Sequence, residues 1–383
     1  MTGSPAGTAG EPPGTWPTGF AAGPRDREAL LVLAHLEGMT PREIHALAWE
    51  RGSAAACVEA VSRGAAGSAA DRERVQATDP KAVRRALTDC DAALIAPGEP
   101  GYPADLLHLA DPPGWLFVRG ELSPCEHAVA VVGARNCSPY GREVAEGLGA
   151  GLAAAGVTVV SGAARGVDAA AHRGALRVRG RTVAVLGSGI DVPYPRSHRR
   201  LLEDIAGSGA VVSEYPPGML PHPRRFPARN RIVAGLSRAV VVVEGAPGSG
   251  SLITAEFTQD LHREVLAVPG PVTSELSAAP HELIRDGAGL VRDAEDVLEA
   301  VGLGSGGSAD GAPSSAPAGL TEGERRALVA LTGSPQLVEQ VAAGAGLDPG
   351  AALRTLTALE LRGLVRVDGG RYRRTIDRSP RAR

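Results

Sequence analysis

The spacing of apolar positions changes several times along the chain, and each change marks a new kind of element. The stretch REALLVLAHLEGMTPREIHALAWERG has helical spacing and predicts a helix, a Gly-Met-Thr-Pro turn and a second helix. Thr40 is placed to cap the second helix, with Pro41 in its first turn. Helical sequence continues to about Thr88, so residues 25–88 are expected to form a small helical module. DAALIAPGEPGYPADLLHLADPPGWLFVRG, ending at Gly120, alternates short apolar runs with proline turns. It reads as a connector with one or two strands, with Trp115 and Phe117 in a core.

From His127 to Gly270 the pattern is strand, helix, strand. HAVAVVG, VTVVSG, TVAVLGSG, AVVSE, AVVVVEG and VLAVPG are short apolar strands. Between them lie helical stretches such as PYGREVAEGLGAGLAAAG and VDAAAHRGALRVRG. Such strands pair in parallel with both sheet faces covered. The fold class is therefore α/β, with an extended Rossmann-like core over residues 89–300. Functional residues are expected in loops beyond the strand carboxyl ends. Residues 301–319 are rich in Gly, Ser, Ala and Pro and read as a flexible linker. Residues 320–375 read as three helices and a hairpin around Asp368-Gly369-Gly370, the pattern of a winged helix, and residues 376–383 as a basic tail.

Composition narrows the function classes. Of 383 residues, 43% are hydrophobic and 22% charged, which suits ordinary soluble cores. A formal charge of -3 argues against a globally basic nucleic-acid binder but allows a local basic surface. Lys81 is the only lysine, so phosphate contacts would use planar guanidinium forks. Cys57, Cys90, Cys125 and Cys137 show no CxxC or metal spacing. That argues against a disulfide scaffold or structural zinc and for a reducing cytoplasm. Residues 1–24 read as a disordered leader, not a signal peptide, and no apolar run is long enough to span a membrane.

Several loops carry candidate chemistry. In VVGARNCSPYG a strand ends at Gly133, Arg135 sits in the loop, and exposed amides at the next helix offer an anion site. Arg135 is either a bidentate phosphate fork or a structural arginine paired to a carboxylate. In SGAARGVDAAAH, Ser161, Gly162 and Gly166 permit close backbone approach, and Arg165 is a donor fork. Asp168 and His172, four apart on one helical face, read as a structural network or as a metal or acid–base pair. LGSGIDVPYP lacks the third glycine of a dinucleotide fingerprint, so no nicotinamide or flavin cofactor is expected.

The segment from Tyr215 to Arg238 holds Arg224, Arg225, Arg229, Arg231 and Arg238 and no acid. It reads as a proline-stiffened loop with Phe226 among guanidiniums, an arrangement for stacking a base while holding its backbone. The alternative is a loop folded back on the domain, with Phe226 as its anchor. EGAPGSGSLITAE almost fits a P-loop, but the lysine is missing. ATP hydrolysis is not expected, while amides around Gly250 and Ser251 remain candidates for phosphate.

Taken in order, GYPADLLHLADPPGWLFVRG, VVGARNCSPYG, SGAARGVDAAAH, AVLGSGIDVPYP, SEYPPG, FPARNRIVAGLS, VVVEGAPGSGSLITAE and AVPG resemble the bacterial DNA-processing family called DprA or Smf. The helical module resembles its sterile-alpha-motif-like domain, and the C-terminal piece its optional winged helix. The resemblance implies a non-enzymatic, dimeric protein that binds single-stranded DNA in a basic pocket. It implies help in loading RecA on that strand during natural transformation or recombination, displacing or sharing it with single-strand-binding protein. It places phosphates on Arg135 and the SGAARG loop, bases on Phe226, and a DNA contact on Arg224 or Arg225. His281 departs from the family's usual asparagine. The rival reading is a phosphoribohydrolase-type nucleotide enzyme, faintly suggested by Gly248-Ser249-Gly250 and Glu256.

Overall fold

The computed structural model describes residues 15–122, 127–303, 320–331, 336–368 and 370–374. These fall into two compact units that divide between Gly304 and Ser305. The expected linker from residue 304 onward, the basic tail and Cys125 lie outside the described residues.

The first unit opens with five helices: α1 (Pro24–Leu33), α2 (Pro41–Arg51), α3 (Ala54–Ser62), α4 (Ala69–Ala77) and α5 (Pro80–Asp89). Thr40 caps α2 as expected. Its hydroxyl accepts from the Glu43 amide while the Glu43 carboxylate accepts from the Thr40 amide, a reciprocal cap worth about 1 kcal/mol. A nine-stranded sheet follows, with the order β1 (Ala92–Ile95), β2 (Leu116–Gly120), β6 (Ala210–Ser213), β5 (Thr182–Val185), β4 (Thr158–Ser161), β3 (Ala128–Val132), β7 (Ala239–Val242), β8 (Glu264–Ala267) and β9 (Gly289–Leu290). From β6 to β9 every pairing is parallel, whereas β2 joins both β1 and β6 antiparallel. The inner strands are buried on both faces, which is why their sequences are predominantly apolar, with Thr and Ser only at the ends of β4 and β5. The covering helices are α6 (Pro139–Ala154), α7 (Val167–Arg177), α8 (Arg199–Ser208), α9 (Arg225–Gly235), α10 (Gly250–Asp260), α11 (Ala278–Arg285) and α12 (Ala294–Ala300).

The helical module is not a separate body. Phe117 of β2 and Val211 of β6 turn to one sheet face and join a core with Leu30, Leu33, Leu47 and Cys57 from the first helices. Their neighbours Leu116, Val118, Ala210 and Val212 alternate to the opposite face and join the other core. Arg27 ties α1 to β1 by donating to the Leu94 carbonyl at 2.9 Å and pairing with Glu99.

The expectation of a leader up to residue 24 needs correction for residues 15–23. Trp16 and Phe20 are buried and stack with centroids 4.3 Å apart, and a side chain at Gly114 would collide with the Trp16 ring. Two large aromatics outweigh the surrounding Gly and Pro, because burying each is worth about 1.5–3 kcal/mol.

The second unit holds α13 (Glu322–Ala330), α14 (Val338–Ala345), α15 (Pro349–Leu361) and the hairpin β10 (Val365–Asp368) to β11 (Arg371–Arg374). Leu328, Val341, Leu356, Leu359, Val365 and Tyr372 share its core. Three helices and a hairpin make the expected winged-helix arrangement.

Candidate nucleic-acid interface

The sheet changes direction at β3, with β4 on one side and β7 on the other. Crevices open beyond the strand carboxyl ends at such a point. Two adjoining cavities of about 580 and 390 Å³ lie there, and both are lined by Arg135, Gly162, Ala164, Phe226 and Arg229.

Part of the backbone of these loops serves internal carboxylates. At the start of α6, the Glu244 carboxylate accepts from the Ser138 amide at 2.8 Å and the Ser138 hydroxyl at 2.5 Å. In the β4–α7 loop, Asp168 accepts from the amides of Gly162 and Ala164, both at 3.2 Å. Amides at the start of α6 were expected to be open to an anion, and that of Ser138 is instead taken by Glu244. These three amides are therefore used within the chain, and the exposed guanidiniums are the charged groups at the cleft. Ser161 is also withdrawn: it is buried and donates to the Val131 carbonyl at 2.7 Å.

The glycines serve close approach. A Cβ at Gly133 would press on the Glu244 backbone, and one at Gly162 would occupy the space of the Arg229 guanidinium. Gly166 has a φ of +79° and lies against the Ala134 carbonyl, so it has two reasons to lack a side chain. Gly250 is exposed at the start of α10 and Ser251 is buried beside it, with its hydroxyl 2.9 Å from that of Ser249. Both line the smaller cavity. Glu256, the carboxylate of the rival enzyme reading, is exposed on α10 and lines neither cavity.

The arginines separate into two groups. Arg135, Arg165 and Arg196 are exposed and line the larger cavity, and Arg224 is exposed nearby in sequence to Phe226. Arg225, Arg229 and Arg231 are held. Arg225 pairs with Glu37 at 3.4 Å, donates to the Leu220 carbonyl at 2.5 Å and lies over the Tyr215 ring. Arg229 is buried and donates to the Val185 carbonyl. Burial lowers its pKa against the attraction of Asp168. Arg231, 2% exposed, is gripped by both carboxylate oxygens of Glu214 at 2.7 Å and by Asp111 at 3.0 Å. Burial opposes its charge, but Glu214 and Asp111 overcome this and raise its pKa. Arg231 is therefore a structural ion pair and not a DNA contact.

The expected loop around Phe226 is largely a helix. Pro227 sits in the first turn of α9, where a missing amide costs little, and the apolar run from Ile232 to Ala234 buries the remainder. Phe226 is half-buried, with the Arg135 guanidinium 5.1 Å from its ring centre and the Tyr194 ring at 5.1 Å. Tyr194 and Arg196 were not singled out in the sequence. Their signal was an aromatic between two prolines, followed by an arginine, in a segment read only for its glycines.

Asp168 and His172 are both buried but hold separate partners. Burial raises the Asp168 carboxyl's pKa, opposed by Arg229 and by the amides it accepts from. His172 is fully buried, with Nδ1 2.7 Å from the Thr182 hydroxyl, which itself donates to Val159. Nδ1 therefore carries the hydrogen. Burial, helped by the charges of Arg229, His198 and Arg173, pushes its pKa down to about 3. The unfolded chain binds this proton below about pH 6.5 and the native chain only near pH 3. Stability from this group is whole above pH 6.5 and is lost towards pH 3, at up to about 1.4 kcal/mol per unit. Asp168, with its pKa raised, contributes with the opposite sign from about pH 3.8 upward to that raised native pKa. Urea unfolding at pH 7.5 and pH 5.0 should show a smaller loss for His172→Gln than for wild type. Equal losses would mean that His172 titrates normally.

Among the described residues, no group of three or more His, Cys, Asp or Glu is placed to hold a metal, and no helix is long and apolar enough to cross a membrane.

The DNA recombination-mediator protein A family matches residues 93–302, more than half of the chain. The chain belongs to the DprA/Smf family. The DprA winged helix domain matches residues 311–371. A DNA processing protein DprA of Mycobacterium tuberculosis is 47% identical over 255 residues, which cover 66% of this chain and 65% of that one. The chain thus spans about two thirds of the length of that relative. The X-ray structure of DprA from Streptococcus pneumoniae matches with a TM-score of 0.57 and 33% identity over 72% of this chain and 95% of that one. DNA processing protein A from Helicobacter pylori, whose structure is described for its single-stranded DNA binding mode, matches with a TM-score of 0.50 and 27% identity, covering 54% and 94%. The matched family is described as one of DNA recombination mediators.

Proposed function

We propose that this chain binds single-stranded DNA at the cleft beyond β3, β4 and β5 and helps load RecA on the bound strand in recombination or natural transformation. The observation that carries the reading is the Arg135 guanidinium set 5.1 Å from the Phe226 ring in a cavity that Arg165 and Arg196 also line. A phosphate and its unpaired base can be held together there, whereas duplex DNA keeps its bases stacked away from Phe226. The Ser138, Gly162 and Ala164 amides already serve Glu244 and Asp168, so the guanidiniums supply the charge and affinity should fall steeply with salt. The reading includes single-strand-binding protein as a competitor for the strand, and a homodimer formed through the Rossmann-like sheet. Sedimentation at micromolar concentration checks the dimer.

The test is a salt series of titrations with single-stranded and duplex oligonucleotides. Arg135→Ala should weaken single-strand binding about 10- to 100-fold, the value of a charged hydrogen-bond pair. It should also flatten the log–log salt slope by about 0.7, one phosphate's share on a single strand. Phe226→Ala should weaken binding by a similar factor while keeping the slope. Wild-type affinity in both variants would end the proposal.

A further inference from the structure

The aromatic that the site presents to solvent is Tyr194, and the structure shows why Phe226 is its backing. A Cβ on Gly187 would stand 2.8 Å from Phe226 Cδ1, so the Phe226 ring lies directly on that backbone. The Arg135 guanidinium and the Tyr194 ring, tilted by 37°, crowd it further. Tyr194 is 43% exposed and lines the larger cavity beside Arg135, Arg165 and Arg196. No carboxylate lines that cavity among the described residues.

The segment that carries Tyr194 is held in place before any ligand arrives. Pro193 and Pro195 flank it and restrict its backbone. The Ser188 hydroxyl donates to the Val192 carbonyl at 2.7 Å, and the Val192 amide donates to Gly189 at 2.8 Å. The Asp191 carboxylate accepts from the Gly218 amide at 2.7 Å, and the His198 amide donates to the Pro195 carbonyl at 2.9 Å. An exposed ring on a fixed loop loses little freedom when it is covered. Three guanidiniums around it select a ligand that is flat, apolar on its face and joined to anions.

We propose that Tyr194 is a base-stacking residue, the outer platform for an unpaired nucleobase whose flanking phosphates lie on Arg135, Arg165 and Arg196. This rests on the single-strand reading above and adds to it the surface that receives the base.

The experiment compares oligothymidylate with an abasic sugar–phosphate oligomer of equal length, on wild type, Tyr194→Ala, Tyr194→Phe and Tyr194→Trp. Tyr194→Ala should weaken oligothymidylate binding about 5- to 100-fold, the value of stacking one base. It should leave abasic binding and the salt slope unchanged, and Tyr194→Phe should restore the loss. Tyr194→Trp should add a fluorescence signal that is quenched by oligothymidylate and not by the abasic oligomer. Equal loss on both oligomers, no loss on either, or quenching by both would overturn the inference while leaving the cleft reading intact. Wild type that binds neither oligomer at low salt would overturn the cleft reading and this inference with it. Should Tyr194→Ala not fold, the Tyr194→Trp quenching decides alone.

Discussion

Arg231→Ala should lower the unfolding free energy by about 3–5 kcal/mol, the cost of leaving a buried charge without its partner. The substitution strands Glu214, whose carboxylate is matched to the guanidinium at two 2.7 Å contacts, and removes the 3.0 Å tie to Asp111. That tie joins the loop before β2, the residue after β6 and α9, so the loss is felt on the antiparallel side of the sheet. The double variant Arg231→Met with Glu214→Leu should recover a large part of the loss, because an apolar pair of similar volume avoids the desolvation of both ions. Urea midpoints measure both. Oligonucleotide binding by the folded fraction should keep the wild-type salt slope. A variant of normal stability with a flatter slope would instead put Arg231 on the DNA.

The second large effect lies where α6 crosses α7. A Cβ on Gly149 would overlap the Ala171 carbonyl, and one on Gly174 would overlap the Glu146 carbonyl. The two helices therefore meet backbone to backbone, each through a glycine of its own. Gly147 is on the same helix but has open space around a built Cβ. Two opposing terms can be separated here. Replacing a helical glycine by alanine gains about 1 kcal/mol of helix propensity. Overpacking costs about 1–3 kcal/mol, with the upper end expected when the obstacle is backbone. Gly147→Ala should therefore stabilise the protein by up to about 1 kcal/mol. Gly149→Ala should destabilise it, and Gly149→Val should cost about 3 kcal/mol or more. Thermal melting of the three variants is the measurement, and a Gly149→Ala protein as stable as Gly147→Ala would refute the close crossing. The crossing bears on function because α7 begins at the Gly166 turn and carries Asp168, which holds the β4–α7 loop beneath Arg229.

Much of the site was legible locally. Arg135, Arg165 and Phe226 were marked by their loops, and those loops lie together at the point where the sheet changes direction. Less legible was which arginines are spent. In the acid-free run from Tyr215 to Arg238, no nearby acid indicates that Arg231 is neutralised, because Glu214 precedes the run and Asp111 lies 120 positions away. Glu37, which pairs with Arg225, comes from the loop after α1 and is more distant still. The proline-rich look of the segment likewise concealed α9, since Pro227 falls in a first turn that tolerates it.

What the sequence determined by itself was everything that depends on neighbours along the chain. That includes the apolar strands and their parallel pairing, the Thr40 cap, the three helices and hairpin of the second unit, and the arginine-bearing loops. Only the tertiary structure decided how the amides and guanidiniums are allotted. Glu244 and Asp168 take loop amides, Glu214 and Asp111 take Arg231, and Tyr194 stands in front of Phe226. The physical reason is that a hydrogen bond or ion pair is settled by distance in space. Burial makes an unpaired group so costly that partners far apart in sequence are brought together, and only the cations left without such partners stay exposed at the cleft.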